Sequence, residues 1–250
     1  MIQNFATLLT QAQVERVCQV SLEILENTGL LVRNQRARQI FAEYGAQVDE
    51  TSEIVRIPAA VVERYRVLFP PTFTFYARDP RYDVTVPQDS PLILTGSSAP
   101  NIIDPVCGVE RRSRSEDLAR IAYLINELPG YDVFSISTLA EDAPAGQFSL
   151  SRYYPSIKNT IKPVRANTPP DQVEQVLELI YHIAGGEEAF RTRPWVTHHY
   201  CPVVSPLTMD FDSTQLLIIF SELDLPSYFS IVPNAGLTSP LTMLSTLAQC

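Results

Sequence analysis

Glycine is scarce in this sequence, with nine residues in 250. No Gly-x-Gly-x-x-Gly run follows a predicted strand, so the usual dinucleotide-binding fingerprint is missing. A phosphate-binding P-loop, a Gly-x-Ser-x-Gly nucleophile elbow and a His-Glu-x-x-His zinc motif are missing as well. Nucleotide hydrolysis, serine hydrolysis and zinc proteolysis therefore lack their common signatures.

Cysteine and histidine are also few. The four cysteines, Cys18, Cys107, Cys201 and Cys250, are scattered without a Cys-x-x-Cys spacing. This pattern argues against a zinc ribbon, a redox dithiol and a disulfide framework. Two of the three histidines are adjacent, and no further imidazole stands at metal-ligand spacing. We therefore predict no resident metal site.

Positive charge is in the minority, with 19 basic against 28 acidic side chains and a net charge of −9. Such a balance repels phosphate backbones, so nucleic acid is not an expected partner. No apolar run approaches the ~20 residues that cross a bilayer, and the N-terminus lacks the basic and apolar regions of a signal peptide. We therefore expect a cytoplasmic protein without a membrane segment. The hydrophobic content of 45% is enough for a sizeable core.

Residues 1–90 show helix signals separated by short strands. A capping box at Thr10 and Gln13 predicts a helix that ends near Gly29, and a second helix follows it. Pro58 opens a third helix. The apolar side chains of this third helix, which are expected to be buried, are Val61, Val62, Tyr65, Leu68 and Phe69. Strands are predicted at 54–57, 73–76 and 82–86, so the region reads as a helical extension with short β-hairpins.

From residue 91 the pattern changes to a repeated alternation of strand and helix. Strands are predicted at 92–95, 133–139, 162–166, 196–203 and 228–232, and helix signals follow each of them. The spacing fits successive βα units that are joined by right-handed crossovers. Five units in residues 91–250 average about 32 residues each, close to the ~31 of an eight-fold barrel.

The predicted fold class is therefore α/β. Residues 91–250 are predicted to form an incomplete TIM (β/α)8 barrel of about five βα units, preceded by the helical extension of residues 1–90. An open, doubly wound sheet is the alternative, because five strands would complete one. The lack of a glycine-rich loop after any strand disfavours that alternative.

Polar residues follow the predicted strands, where a TIM barrel carries its active site. The candidates for substrate binding are Glu141, Asp142, Asn167, His198, His199, Tyr200 and Asn234, while Ser97 and Ser98 follow the first strand. No residue is assigned a catalytic role. Asn234 suits a ligand contact or a turn, and Tyr200 suits a cation–π contact or core packing.

The histidine pair and the carboxylate pair each have a structural alternative. Neighbouring strand residues point to opposite faces, so only one of His198 and His199 can face a barrel centre. The other histidine is then expected to pack under a helix. Glu141 and Asp142 suit acid–base chemistry, but they equally suit a helix cap or a solvated loop.

Taken together, several ordered segments of the chain resemble the trimethylamine methyltransferase family. The segments are Val55–Pro58, Phe73–Pro80, Gly108–Ser113 leading to Glu116–Ala119, Thr160–Pro163, Ser205–Leu207 and Ala235–Thr242. Each motif is short, but their order and spacing run through nearly the whole chain.

The resemblance implies a TIM barrel with a helical N-terminal extension. It also implies a methyltransferase that moves a methyl group from a methylated amine, such as trimethylamine or glycine betaine, to the cobalt of a corrinoid. The corrinoid, a cobalamin-type cofactor, belongs to a separate partner protein, and this chain is expected to bind none itself. Family members are roughly twice as long, and the pyrrolysine that some of them use lies beyond Cys250. The chain resembles their N-terminal half.

Two other functions stay open at this point. As a truncated, non-catalytic remnant of such an enzyme, the chain would associate with a partner or a second copy through the unpaired edges of an unclosed sheet. As an unrelated TIM-barrel enzyme, such as a decarboxylase, it would depend more heavily on Glu141 and Asp142.

Overall fold

A computed structural model describes residues 9–234 and 236–250; residues 1–8 and Ala235 of the family motif lie outside this description. The helices are α1 Gln11–Glu23, α2 Gln35–Glu43, α3 Ala59–Arg66, α4 Ser115–Glu127, α5 Phe148–Asn159, α6 Val173–Ala184, α7 Glu187–Thr192, α8 Phe211–Glu222 and α9 Met243–Gln249. The strands are β1 Leu30–Val32, β2 Gln47–Asp49, β3 Ile54–Arg56, β4 Phe73–Phe75, β5 Val84–Val86, β6 Asn101–Ile103, β7 Glu110–Arg112, β8 Phe134–Ser135, β9 Val164–Ala166, β10 Val196–Tyr200, β11 Val203–Val204, β12 Thr208–Met209 and β13 Ser227–Phe229. None of the helices within these ranges is long and apolar enough to cross a membrane.

The chain groups into two compact units. The first takes the described residues up to Phe69 together with Cys201–Ile218 and Phe229–Cys250, and the second takes Pro70–Tyr200 and Ile219–Tyr228. The predicted boundary after residue 90 does not coincide with this grouping, because strands from beyond residue 200 pair with the N-terminal strands.

The first unit is built on a mixed sheet with the strand order β11-β12-β1-β3-β2. β1 pairs in parallel with β12, so that Leu31 lies opposite Thr208, and it pairs antiparallel with β3. The signals predicted for α1 are confirmed: Thr10 and Gln13 form the capping box, and Gly29 has a φ of 80°. The core residues of this unit are Leu30, Val32, Ala37, Val55, Met209 and Ile218.

The prediction that the apolar side chains of the third helix are buried is wrong. Leu68 and Phe69 are 70% and 71% exposed, and the side chains of Val61, Val62 and Tyr65 are only partly buried. Because α3 has eight residues, Leu68 and Phe69 lie beyond its last turn. The other three side chains line an open cavity of the first unit rather than a closed core.

The second unit contains a sheet with the strand order β13-β10-β9-β8. β9 pairs in parallel with both β8 and β10. Two isolated parallel bridges, Leu94 to Val133 and Ala99 to Thr138, add the preceding chain segment to the β8 side. The strands thus follow one another in chain order, without the reversal of order that marks a doubly wound sheet. The described strands do not close into a barrel.

Helices pack on this sheet through stripes that the sequence predicts. The buried helical side chains at the predicted spacing are Leu118, Ala122 and Ile125 of α4 and Val176, Leu177 and Ile180 of α6. From the sheet, Val164 and Val196 are almost fully buried. The second unit is therefore an α/β assembly of a parallel sheet and amphipathic helices, in agreement with the predicted class.

Several elements differ from the prediction in extent. The predicted strand 92–95 is reduced to the bridge at Leu94, and the strand predicted at 133–139 is reduced to β8 with a bridge on either side. The last helix begins at Met243 after its cap Thr242, and not at Ser239. The β4–β5 hairpin confirms the predicted one, whereas the β6–β7 and β11–β12 hairpins and α7 have no counterpart in the prediction.

Candidate functional site

The first unit contains an open cavity of about 620 Å³. Its lining is mostly apolar and includes Leu25, Phe41, Val62 and Ala248. None of the predicted binding residues lines this cavity. Such a lining offers few groups that could orient a charged amine, whereas the sheet of the second unit carries several.

A row of polar side chains runs across the parallel sheet of the second unit. Ser135 of β8 lies in register with Arg165 of β9, and Arg165 lies in register with Thr197 of β10. His199 stands two residues beyond Thr197 and therefore points to the same face of the sheet. Tyr228 of β13 joins the row, because its ring contacts both Arg165 and His199.

Arg165 is the centre of this row. Its Nη1 donates to the hydroxyl oxygens of Ser97 at 3.2 Å and Ser135 at 3.1 Å. Its guanidinium carbon lies 5.3 Å from the centroid of the Tyr228 ring. The Nε atom is buried and has no acceptor among the described residues. The strand-face cluster is defined here as Ser97, Ser135, Arg165, His199 and Tyr228.

The imidazole of His199 is uncharged at neutral pH. Burial lowers the pKa of His199 to about 4, and the positive charge of Arg165 adds to this shift. The His199 ring lies 5.0 Å from the Tyr228 ring, measured between centroids. The cluster thus combines one permanent cation with a neutral imidazole and a phenol. Within the described ranges, no group of three His, Cys, Asp or Glu side chains is placed to hold a metal ion.

His198 and Tyr200 occupy the opposite face of β10. The His198 ring stacks on Phe220 of α8 with 4.0 Å between centroids, and the Tyr200 ring lies parallel to Phe220 at 6.2 Å. The Tyr200 and Ser227 hydroxyl oxygens are 2.7 Å apart. Strand alternation therefore separates the two histidines as predicted, with His198 under a helix and His199 on the face that carries Arg165. The position of Tyr200 fits core packing.

The buried histidine provides a pH test of this placement. Burial lowers the pKa of His198 to about 3, so only the unfolded chain takes up a proton near pH 6.5. The free energy of unfolding is therefore not reduced by this histidine above pH 6.5. It decreases as the pH falls from 6.5 towards 3, because only the unfolded chain binds the proton. Between pH 7 and pH 5 we expect the unmodified protein to lose about 2 kcal/mol more than His198→Phe, measured by urea unfolding. The exposed His182 supplies the control: His182→Phe should follow the unmodified protein, and equal losses in all three proteins would refute the assignment.

Asn167 lies at the carboxyl end of β9 beside a second arginine. Its side-chain oxygen accepts a hydrogen bond from Arg152 Nη1 at 3.1 Å. Arg152 also donates to the Ser98 hydroxyl at 3.4 Å and to the Thr138 carbonyl at 3.2 Å. Burial lowers the pKa of the Arg152 guanidinium. The structure thus brings Asn167 and Ser98 together at one end of the sheet.

The remaining predicted binding residues have other partners. Asp142 Oδ1 accepts hydrogen bonds from the Ser115 backbone N–H at 2.8 Å and from the Ser115 hydroxyl at 3.1 Å, so it caps α4. Glu141 is exposed and lies 3.8 Å from Arg112. The Asn234 carbonyl accepts N–H groups from residues 237–239 in a turn of the first unit. The contacts of Glu141 and Asp142 therefore lie outside the strand-face cluster, and Asn234 belongs to the first unit.

Comparisons with known proteins identify the family. A family model described as trimethylamine methyltransferase (MTTB) matches residues 2–250. The chain belongs to this family. It is 27% identical over 228 residues to trimethylamine methyltransferase MttB of Desulfitobacterium hafniense, covering 91% of this chain and 46% of that protein. It is 29% identical over 248 residues to MttB of Methanosarcina thermophila, covering 96% of this chain and 51% of that protein. It is 26% identical over 244 residues to glycine betaine methyltransferase of D. hafniense, covering 96% of this chain and 50% of that protein. The chain spans about half the length of the curated relatives it matches.

Membership of the trimethylamine methyltransferase family confirms the resemblance that the ordered motifs indicate. In this structure two of the motifs make hydrogen bonds within the second unit. Arg78 of the Phe73–Pro80 motif donates to the carbonyls of Ile157 and Thr160, and Arg111 bonds to Asp117 of α4 at 2.7 and 2.8 Å. These two motifs therefore tie α4 and the C-terminal end of α5 to neighbouring segments of the second unit.

The sequence-based list of candidates misses Arg165, Ser135 and Tyr228. One signal could have found the arginine. Arg165 is a permanent charge inside the predicted strand 162–166, and Val164 and Ala166 on either side of it are buried. A charge at that position must point away from the face packed against helices. Searching only the residues after each strand overlooks it.

Proposed function

We propose that this chain forms part of a methyltransferase that moves a methyl group from a methylated amine to the cobalt of a corrinoid. A separate protein carries that corrinoid, which is a co-substrate. The amines proposed are trimethylamine and a quaternary amine such as glycine betaine, as named for the relatives. The observation that carries the proposal is the strand-face cluster in a member of this family. A cytoplasmic location is part of the same proposal.

The order of the parallel strands supports a barrel architecture for this enzyme. Strands that follow one another in chain order, each parallel to the next, are the arrangement of consecutive units in a (β/α)8 barrel. The bridges at Leu94 and Ala99 supply the position beside β8, so five consecutive units account for the sheet. The face that carries Arg165 and His199 then lines the barrel centre. The edge strands of an unclosed sheet have unpaired backbone groups, so self-association of the chain stays a prediction.

The chemistry of methyl transfer suits such a site. The methyl group bonds to the cobalt of the corrinoid co-substrate while the C–N bond breaks and its electron pair stays on nitrogen. A quaternary ammonium thus leaves as a neutral tertiary amine, and trimethylamine in its protonated form leaves as neutral dimethylamine. The protein has to orient the N-methyl bond and exclude water, and it needs no strong acid. Tyr228 offers an aromatic ring to a cation, and the uncharged His199 does not repel one. The decarboxylase alternative gains no support, because Glu141 lies at the surface and Asp142 caps α4.

A labelled-methyl assay tests the proposal. The chain is incubated with glycine betaine or trimethylamine that carries deuterated methyl groups, with free cob(I)alamin as the methyl acceptor. We expect labelled methylcobalamin, detected by mass spectrometry, above the level of a protein-free reaction. His199→Ala should reduce the rate about tenfold or more by disturbing substrate alignment, whereas His182→Ala, on the exposed side of α6, should not. No labelled product from either amine would contradict the proposal.

A further inference from the structure

The hairpin formed by β6 and β7 carries exposed apolar side chains at its tip. Val106 in the turn is 92% exposed, Ile103 at the end of β6 is 71% exposed, and Val109 just before β7 is 61% exposed. Ile103 lies opposite Glu110, so Val109, which precedes Glu110, belongs to the other face of the hairpin. The hairpin tip is defined here as Ile103–Val109. It presents apolar groups to solvent on both faces and at the turn, and such clusters mark sites of interaction.

The conformation of the hairpin tip is fixed by a chain of hydrogen bonds and ion pairs. Asp104 Oδ1 accepts the backbone N–H groups of Val106 at 2.9 Å and Cys107 at 3.3 Å. Asp104 Oδ2 accepts from Arg111 Nε at 2.8 Å, and Arg111 also donates to both carboxylate oxygens of Asp117 in α4, at 2.7 and 2.8 Å. The tip is thus tied to a helix. A surface that is rigid before binding loses less conformational entropy when a partner binds.

The base of the hairpin lies at the carboxyl end of the parallel strands. Just before β6, Ala99 forms a parallel bridge with Thr138. Just after β7, the hydroxyl of Ser113 donates to the carbonyl of Leu139, and the Ser113 carbonyl accepts the backbone N–H of Glu141 at 3.1 Å. In the barrel architecture proposed above, this is the end at which the reacting groups meet. A protein that delivers a methyl acceptor to that end therefore approaches the hairpin.

The small size of the hairpin tip favours a transient partner over a second copy of the chain. Stable complexes bury about 1,200–2,000 Å² in total, and three aliphatic side chains supply only a small part of such an area. A carrier that leaves after each methyl transfer needs a weak interface of this kind. Because the tip is apolar on both faces and at the turn, it suits a groove that encloses it rather than a flat surface.

We propose that the hairpin tip is the docking surface for the corrinoid-carrying protein, which receives it in an apolar groove. This inference rests on the proposed function and identifies the surface through which its methyl acceptor arrives. The tip acts in binding, through the removal of its aliphatic side chains from water, and takes no part in the chemistry.

Two methyl acceptors separate docking from chemistry. Free cob(I)alamin reaches the site without a carrier. The corrinoid protein of the organism that encodes this chain, produced with bound cobalamin and reduced to the cob(I) state, has to dock. In the labelled-methyl assay, Val106→Asp should lower kcat/KM for the corrinoid protein about tenfold or more, because it would bury a carboxylate in an apolar groove. The rate with free cob(I)alamin should change by less than about twofold.

A matched control and a direct binding measurement complete the test. Val67 is 72% exposed in the first unit, so Val67→Asp introduces the same charge away from the hairpin and should leave the rates with both acceptors unchanged. Surface plasmon resonance of the corrinoid protein on the immobilised chain should show the same loss for Val106→Asp without depending on turnover. If Val106→Asp does not fold, as judged by circular dichroism, Val109→Ser replaces it, with an expected loss of affinity of about threefold or more.

The outcomes distinguish the inference from the proposed function. Equal use of the corrinoid protein by Val106→Asp and the unmodified chain overturns the inference and leaves the methyltransferase proposal standing, and so does an equal loss in Val67→Asp. Conversion of a dimer into a monomer by Val106→Asp, seen by size-exclusion chromatography, assigns the tip to a second copy and also overturns it. Binding of the corrinoid protein that depends on Val106, without methylation of either acceptor, supports the docking surface and counts against the methyltransferase. The absence of both binding and methylation overturns both.

Discussion

Replacing Lys162 with methionine is expected to lower the free energy of unfolding by about 3 kcal/mol. The ammonium group is buried, and its Nζ donates to the carbonyls of Ile125 at 2.8 Å, Leu128 at 2.8 Å and Tyr131 at 2.9 Å. These carbonyls lie at and just after the C-terminal end of α4, where the helix itself offers no N–H partners. Methionine fills a similar volume but leaves the three oxygens without a donor.

The neighbouring Lys158 provides a matched control for this experiment. Lys158 is exposed on α5, so Lys158→Met removes the same charge without uncovering buried carbonyls. Urea unfolding should show a change of less than about 0.5 kcal/mol for Lys158→Met. A similar small loss for Lys162→Met would mean that water, or a shift of the chain, satisfies the carbonyls in its place.

Gly29→Ala is expected to cost at least about 3 kcal/mol. Gly29 has a φ of 80° and a ψ of −173°, a combination that is essentially restricted to glycine. A methyl group there would also lie 2.5 Å from the carbonyl oxygen of Val55 in β3. The substitution therefore combines backbone strain with a collision that only a movement of β1 or β3 can relieve.

A second glycine separates the two causes. Gly108 has a φ of 70°, but a methyl group on it would have no neighbour within 4 Å. Gly108→Ala should therefore cost only the strain of a left-handed residue, about 1 kcal/mol. Thermal and urea unfolding of both variants measure the difference. Equal losses would show that the approach of Gly29 to Val55 has no energetic consequence.

The parts of the fold that the sequence predicts best are set by neighbouring residues. The structure contains both the capping box of Thr10 and Gln13 and the helix stop at Gly29. Each of these signals depends only on residues within one turn of itself. The buried stripe of α6 is likewise a local pattern. Such signals persist because the backbone groups at helix ends need partners whatever the tertiary structure.

The parts that the sequence does not predict depend on distant partners. β11 and β12 are two residues long, too short for a periodic pattern, and β12 exists as a strand because it pairs with β1. The exposure of Leu68 and Phe69 is likewise not indicated by the local sequence, since an apolar residue can lie in a core or at the surface. A pattern in a single sequence does not indicate which distant strand or helix a segment will pack against.

For the candidate site, the alternation of strand residues predicts the separation of His198 from His199, but it does not say which of them joins the polar face. That choice follows from the register in which Thr197 lies opposite Arg165. The cap formed by Asp142 is one of three interpretations that the sequence leaves open, beside acid–base chemistry and a solvated loop, and the bonds to Ser115 support the cap.

The pairing of β1 with β12 affects how the protein is made. The hydroxyl of Ser21 in α1 donates to the carbonyl of Ala248, 227 residues further along. During translation, the N-terminal helices leave the ribosome more than a hundred residues before their partners, an interval of roughly 10 s at bacterial rates. Throughout that interval the core formed by Leu30, Val32, Ala37 and Val55 lacks Met209 and Ile218, the two buried members that come from the later segment. We infer that chaperones have their most extended opportunity to bind this chain before β12 emerges.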